Sequence, residues 1–177
     1  MERDEWQKFC EKISELGKYL EDEGMPLAYH HHMGTVIETQ KDTERLIENT
    51  HESVKLTLDT GHMLFAKGDS KYILQNYHER ILHVHCKDIR KQVLEKSLKE
   101  DLSFRGAFLE GAFTVPGDGC IDYQPLFNVL KNNNYSGWLV VEAEQDPAKA
   151  NPLEYAKIGY NYLTDTLKKS EIEIYKN

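Results

Sequence analysis

The stretch Val54-Lys-Leu-Thr-Leu-Asp-Thr-Gly-His62 decides the fold class. Apolar residues alternate through its first half, and the strand that this pattern predicts ends at Asp59, immediately before a Thr-Gly turn. Three other short apolar segments have the same form, at residues 26–30, 81–85 and 138–142. The sequence therefore predicts four strands, and a side chain able to bind a ligand stands at the end of each.

Amphipathic segments separate these strands. The helices that they predict cover residues 4–23, Thr39 or Asp42 to Asn49, 69–79, Asp122 or Tyr123 to Asn132, and 151–169. In the long connection over residues 87–118, helices are also expected at 91–99 and 104–111. Strands that alternate with helices favour an α/β fold with a parallel sheet built from βαβ units, and the period is that of a barrel.

Composition and charge limit the possible partners. The 177 residues carry a formal net charge of −8 and no dense run of Lys and Arg, which argues against a nucleic-acid partner. The three cysteines, Cys10, Cys86 and Cys120, fit neither a disulfide framework nor a zinc ribbon, so we expect a reduced, cytoplasmic protein. No apolar run approaches the roughly 18 residues of a membrane span, and we expect no membrane partner.

The histidines are concentrated near the predicted strand ends. Six of the eight lie at or just after these ends: His30, His31, His32, His62, His83 and His85. Asp59 ends the second strand and Glu142 the fourth. Ligands of α/β sheets bind at the carboxyl edge, and imidazole with carboxylate suits Mn²⁺, Co²⁺, Fe²⁺ or Zn²⁺. The convergence of four strand ends predicts a metal or catalytic cluster.

Each of these residues also has a purely structural interpretation. A single strand-end histidine is often a hydrogen-bonded structural residue, Asp59 can cap the Thr60-Gly61 turn, and Glu142 can pair with a neighbouring Lys or Arg. In an extended His30-His31-His32 segment, the outer two side chains point one way and the middle one the other. We therefore expect His31 to be the histidine that does not bind metal.

The glycine-rich stretch Val-Pro-Gly-Asp-Gly-Cys-Ile-Asp at residues 115–122 has two interpretations. It is a tight turn before a helix, or it brings backbone N–H groups and Asp118 towards a hydroxylated ligand. It lacks the GxxxxGK[ST] pattern of a phosphate loop. The preceding connection is long enough to act as a lid.

Several motifs together resemble one known superfamily. They are YHHHMGT (29–35), LDTGH (58–62), HVHCKD (83–88), VPGDGCIDY (115–123), VVEAEQDP (140–147) and DPAKANPLEYAKIGYNYL (146–163). LDTGH and HVH resemble the xylose-isomerase-like barrel superfamily of sugar isomerases, epimerases and endonuclease-IV relatives. The longer motifs closely resemble the inosose dehydratase family, which acts on 2-keto-myo-inositol (scyllo-inosose).

This resemblance implies the architecture and the metal site. Residues 1–177 would form a single domain, strands five to eight of the family barrel, and thus the C-terminal half of a (β/α)₈ TIM barrel. Asp59, His85 and Glu142 would bind a divalent metal, most readily Mn²⁺ or Co²⁺. The superfamily's first glutamate falls near His30, so His30, His32 or water would supply the fourth ligand. Uncovered sheet edges of a half barrel would favour a homo-oligomer.

The resemblance also implies a reaction. A metal-dependent hydro-lyase would remove water from the polyol ketone through a metal-stabilised enolate, with His62, His83 and Glu144 as candidate acid and base. Lys87, Arg90 and Asp118 would contact the substrate.

Three alternatives remain open from the sequence. A sugar isomerase or epimerase would share the metal site and the enolate. An endonuclease-IV-like enzyme would need a basic groove, against which the charge argues. A truncated, inactive fragment would only fold and associate.

Overall fold

The computed structural model describes residues 2–175. It contains two compact units, and the division between them falls after Val84, inside the third strand. Within residues 2–175, none of the helices is both long and apolar enough to cross a bilayer.

The first unit alternates helices and strands along the chain. Its helices are α1 (Arg3–Asp22), α2 (Gln40–Asn49), α3 (Thr60–Phe65) and α4 (Ser70–Asn76), followed by a 3₁₀ turn (His78–Arg80). Its strands are β1 (Leu27–His30), β2 (Val54–Asp59) and the start of β3 (Ile81–Cys86). β2 lies between β1 and β3. β1 and β2 pair in parallel with His30 opposite Thr57, so both strands carry their carboxyl ends to the same side.

Helix α1 packs on this unit through one face. Its buried positions are Trp6, Cys10 and Gly17, which are spaced as the 3.6-residue helical period requires. Trp6 and Cys10 form a buried apolar cluster with Ile37 and Leu46. Burying a large apolar side chain stabilises a fold by about 1.5–3 kcal/mol, so this contact holds α1 against α2 and the segment before it.

The second unit contains the end of β3 and the rest of the chain. Its helices are α5 (Lys91–Lys99), α6 (Phe104–Leu109), α7 (Gln124–Asn132) and α8 (Pro152–Lys169). Its remaining strands are β4 (Asp88–Ile89), β5 (Phe113–Thr114) and β6 (Trp138–Val141). β6 is the neighbour of β3, and the Glu142 N–H donates to the Cys86 carbonyl at 3.4 Å. β4 and β5 form a separate antiparallel ribbon.

Most of the predicted elements are confirmed, with two corrections. The helix expected over residues 69–79 ends at Asn76, because Tyr77 leaves the helical region with φ −133° and a 3₁₀ turn follows. α3 and the β4–β5 ribbon were not predicted, since a helix that begins Thr60-Gly61 and strands of two residues carry no readable periodicity. The single domain over residues 1–177 remains a prediction.

A glycine in α8 provides a test of packing in the second unit. A Cβ at Gly159 would lie 2.5 Å from Val141 Cγ1 and 3.2 Å from Val115 Cβ. We expect Gly159→Ala to lower the free energy of unfolding by about 1–3 kcal/mol, because overpacking outweighs the gain in helix propensity of about 1 kcal/mol. Gly106→Ala is the control, since its Cβ would meet only ordinary contacts in α6. Urea denaturation that shows both variants at or above wild-type stability would contradict this packing.

Candidate metal centre and active site

His30 and Asp59 form an imidazole–carboxylate pair in the first unit. His30 Nε2 lies 3.4 Å from Asp59 Oδ2, and the Asp59 side chain is fully buried. The other carboxylate oxygen, Oδ1, accepts the His62 N–H at 2.9 Å and so caps α3. The structural interpretation of Asp59 as a cap is therefore confirmed, and its second oxygen faces an imidazole.

His31 contacts the backbone of Asp59 in this pair. It is fully buried, and its Nε2 accepts the Asp59 backbone N–H at 3.1 Å. Because Nε2 is the acceptor, the proton of the neutral ring resides on Nδ1. Burial is the main reason why the pKa of His31 falls from 6.5 to about 3, although the Asp59 charge acts in the opposite direction. His31 is therefore neutral and its Nε2 already accepts a hydrogen bond, while its exclusion from metal binding stays a prediction.

The His31 pKa predicts a pH dependence of folding. The unfolded chain binds the extra proton between about pH 3 and the ordinary histidine pKa of 6.5, so stability is lost as the pH falls through that window. In chelator, we expect this residue to lower the free energy of unfolding by about 2 kcal/mol between about pH 7.5 and pH 5. His31→Gln keeps an acceptor and should remove this slope, whereas the exposed His78→Gln should not. Urea denaturation at several pH values measures the pH dependence of stability in both variants. Equal slopes in the two variants would contradict the assignment of this dependence to His31.

His32 and His62 form a second imidazole pair in the first unit. Their ring centroids lie 3.7 Å apart with an interplanar angle of 41°. His32 Nδ1 lies 2.7 Å from the Met33 carbonyl, which can only accept, so Nδ1 donates and the neutral ring has its lone pair on Nε2. A hydrogen bond of this kind to a backbone carbonyl fixes the tautomer of many histidines that bind metals or protons.

The second unit contains its own imidazole–carboxylate pair. His85 Nδ1 lies 2.9 Å from Glu142 Oε2. The Lys87 side chain is fully buried, and its Nζ lies 3.3 Å from the same Glu142 oxygen and 3.0 Å from Glu144 Oε2. Lys87, expected to contact the substrate, thus lies between two carboxylates. Lys87 follows His85 by two residues, so both side chains point to the same face of an extended chain. This spacing could have indicated that Lys87 lies beside the carboxylate that His85 contacts.

Arg90 and Asp118 were predicted to contact the substrate, and in the structure they contact each other. Arg90 Nη2 donates to Asp118 Oδ2 at 2.6 Å, and Nη1 donates to the Gly111 carbonyl at 2.8 Å. The Tyr155 hydroxyl lies 3.4 Å from Arg90 Nη2. The Thr114 hydroxyl also donates to Asp118 Oδ2 at 2.6 Å. Tyr155 and Thr114 had no signal in the sequence that separated them from ordinary polar residues.

The donors in each unit fit a divalent metal ion. Two ligands held at about 2.1 Å from one ion lie about 3–3.5 Å apart, close to the 3.4 Å and 2.9 Å of the two imidazole–carboxylate pairs. Nitrogen and carboxylate oxygen together suit Mn²⁺, Co²⁺, Fe²⁺ and Zn²⁺. His83, the remaining candidate, is half-buried in β3.

Comparison with known proteins places the chain in a family. Residues 2–166 match the model of the xylose isomerase-like TIM barrel. The chain belongs to that family. The fold class predicted from the sequence, a parallel sheet with flanking helices in a xylose-isomerase-like barrel, is thereby confirmed.

Curated proteins of this family include close relatives. Inosose dehydratase of Clostridium beijerinckii is 50% identical over 163 residues, which cover 92% of this chain and 55% of that protein. The enzyme of Halalkalibacterium halodurans is 48% identical over 164 residues, covering 92% and 54%. The chain therefore spans about half the length of the curated relatives that it matches.

A solved structure shares the fold at lower identity. The IOLI protein with a bound zinc atom superposes with a TM-score of 0.70 at 20% identity, covering 96% of this chain and 59% of that one. At this identity the likeness shows the fold alone.

Proposed function

We propose that this protein is a divalent-metal-dependent hydro-lyase that removes water from 2-keto-myo-inositol. The observation that carries the proposal is the pairing of an imidazole with a carboxylate in each unit, His30 with Asp59 and His85 with Glu142. The relatives named inosose dehydratase, at 46–50% identity, support the choice of reaction and substrate.

The proposed metal ligands are Asp59, His85 and Glu142, with His30 as the fourth and His32 as the alternative. Mn²⁺ or Co²⁺ is the proposed ion, and the zinc in the IOLI protein supports a divalent ion in this fold. When bound, the ion would polarise the ketone and a neighbouring hydroxyl. His31 holds the Asp59 backbone in place, and Lys87 balances the charge of Glu142.

The dehydration needs two proton transfers, and we propose that the acid and the base are among His62, His83 and Glu144. One group removes the proton from the carbon next to the ketone, and another gives a proton to the hydroxyl that leaves the adjacent carbon as water. The carbon–oxygen bond breaks as the new double bond forms, and the product is the enol of a trihydroxycyclohexane dione. Glu144 is held by Lys87 at 3.0 Å, so the side chain has a fixed position from which to act.

Lys87, Arg90 and Asp118 are proposed to interact with the polyol. Arg90 and Asp118 are each about one-third exposed, and together they offer guanidinium N–H donors and a carboxylate acceptor to hydroxyl groups. Lys87 is fully buried between Glu142 and Glu144, so we propose that its charge, more than direct contact, acts on the substrate.

We further propose that the protein works as a homo-oligomer in the cytoplasm, without a nucleic-acid or membrane partner. Cys10, Cys86 and Cys120 are all free thiols, as a reducing compartment maintains them. The net charge of −8 disfavours binding to phosphate backbones.

The test is a dehydration assay. The chain, loaded with Mn²⁺ or Co²⁺, is incubated with 2-keto-myo-inositol, and the ultraviolet absorbance of the conjugated enol is followed, with the C. beijerinckii enzyme as positive control. Turnover that chelator abolishes supports the proposal. NMR of the products separates loss of water from epimerisation, since an epimer formed without loss of water would overturn the assigned reaction. If this chain gives no product while the control turns over, the proposal that this chain is an active dehydratase is overturned.

A further inference from the structure

A buried carboxylate that the proposed reaction does not use anchors the glycine-rich loop of the second unit. Asp88 begins β4 and is 1% exposed. Its Oδ1 accepts three backbone N–H groups, from Ile89 at 2.7 Å, Cys120 at 2.9 Å and Ile121 at 2.9 Å. Two of these three donors belong to the loop, so one carboxylate oxygen fixes the loop's course.

The loop's glycines are explained by what they pack against. A Cβ at Gly119 would overlap the Asp88 carboxylate and lie 2.8 Å from the Asp88 Cβ. Gly117 has φ +89°, and a Cβ there would lie 2.9 Å from the Tyr162 ring. The backbone therefore approaches Asp88 so closely that only glycine fits at 119, which is the geometry needed for the N–H groups that follow to reach Oδ1.

The same loop carries Asp118 between these two glycines. Asp118 receives the Arg90 guanidinium and the Thr114 hydroxyl on Oδ2. Asp88 and Arg90 lie two residues apart, and each of them binds this loop. Asp88 binds the backbone after Asp118, and Arg90 binds the Asp118 side chain.

We propose that Asp88 is a positioning residue, which sets the loop over residues 117–121 so that Asp118 and Arg90 present a fixed pair of groups to the polyol. The consequence for turnover rests on the proposed function, whereas the control of the loop does not. The partners of the carboxylate support this role. The hydrogen bonds of the Asp88 carboxylate come from the backbone N–H groups of its own neighbour, Ile89, and of the loop.

Amide hydrogen exchange tests this role without any need for activity. Asp88→Ala is expected to speed exchange of the Ile121 N–H by about tenfold or more, because its acceptor is gone. Asn151→Ala is the matched control in the same unit, since Asn151 Oδ1 accepts the N–H groups of Leu153 and Glu154 at the start of α8. Asp88→Ala should speed exchange at Ile121 and leave Leu153 and Glu154 unchanged. Asn151→Ala should speed exchange at Leu153 and Glu154 and leave Ile121 unchanged.

Two further variants separate positioning from general stability. Asp88→Asn keeps an acceptor and should restore most of the Ile121 protection. Gly119→Ala should resemble Asp88→Ala, and the double variant should exchange no faster than Gly119→Ala alone, because both changes break the same contact. Uniformly faster exchange throughout the second unit in Asp88→Ala, or an unchanged Ile121, would overturn the proposal.

Kinetics adds a readout that a folding defect would not give. If Asp88 positions the substrate contacts, Asp88→Ala raises KM about tenfold and changes kcat less than about threefold, whereas partial unfolding lowers the apparent kcat alone. An unchanged KM would overturn the link to the substrate. If the wild-type chain has no turnover, the proposed function fails, while the exchange data still decide whether Asp88 sets the loop.

Discussion

Asp59→Asn will weaken Mn²⁺ binding by about a hundredfold or more while leaving the fold intact. Asparagine keeps an oxygen that accepts the His62 N–H, so the cap of α3 survives. The negative oxygen that faces His30 at 3.4 Å is lost, and a neutral amide is a poor ligand beside an imidazole. Calorimetric titration with Mn²⁺ measures the affinity, and urea denaturation in chelator checks the fold.

Asp69→Asn is the matched control for this change. Asp69 also caps a helix of the first unit, accepting the N–H groups of Lys71 and Tyr72 on its Oδ1. The Asp69→Asn protein should bind Mn²⁺ with the affinity of the wild type. If the two variants bound Mn²⁺ equally well, Asp59 would be a helix cap and not a metal ligand.

Lys87→Met will lower the free energy of unfolding by about 2–4 kcal/mol in the metal-free protein. Methionine fills similar space but leaves Glu142 and Glu144 without the ammonium group that lies 3.3 Å and 3.0 Å from them. Removing one member of a buried ion pair typically costs about 3–5 kcal/mol, and the partial exposure of both glutamates reduces this figure. Urea denaturation in chelator measures the loss.

Lys96→Met provides the comparison, because Lys96 pairs with Glu110 at 2.7 Å on the exposed surface of the same unit. Water screens that pair, so its loss should change stability little. Adding Mn²⁺ should stabilise Lys87→Met more than the wild type, since a bound cation would replace part of the missing charge near Glu142. A Lys87→Met protein as stable as Lys96→Met would show that the two glutamates do not need the ammonium group.

The strand ends could be predicted because their physical signal is local. Alternation around Val54 and Ile81, followed by polar residues, located the ends of β2 and β3, and parallel pairing of β1 with β2 carries His30 and Asp59 to one side. The two oxygens of Asp59 could not be assigned from sequence, because the helix that it caps is only six residues long and begins with Thr60-Gly61.

The partners of the charged side chains could not be predicted, since they come from distant parts of the chain. Lys87 reaches Glu144 across 57 positions, and Arg90 reaches Asp118 across 28. Residue type alone indicated that these groups can contact a polyol, but it did not indicate that they first bind one another. The role of Asp88 depends likewise on a loop that begins nearly thirty residues later.

The different contacts of the two Asp59 carboxylate oxygens have an evolutionary consequence. Selection for folding acts on Oδ1, which any good capping residue can replace, while selection for the proposed metal site would act on Oδ2, which that site needs as a carboxylate. A descendant with Asn or Ser at this position would therefore remain folded after losing the proposed ion. Such a substitution offers lineages of this family a single-step route from enzyme to non-catalytic protein, and the residue at this one position would record which of them had taken it.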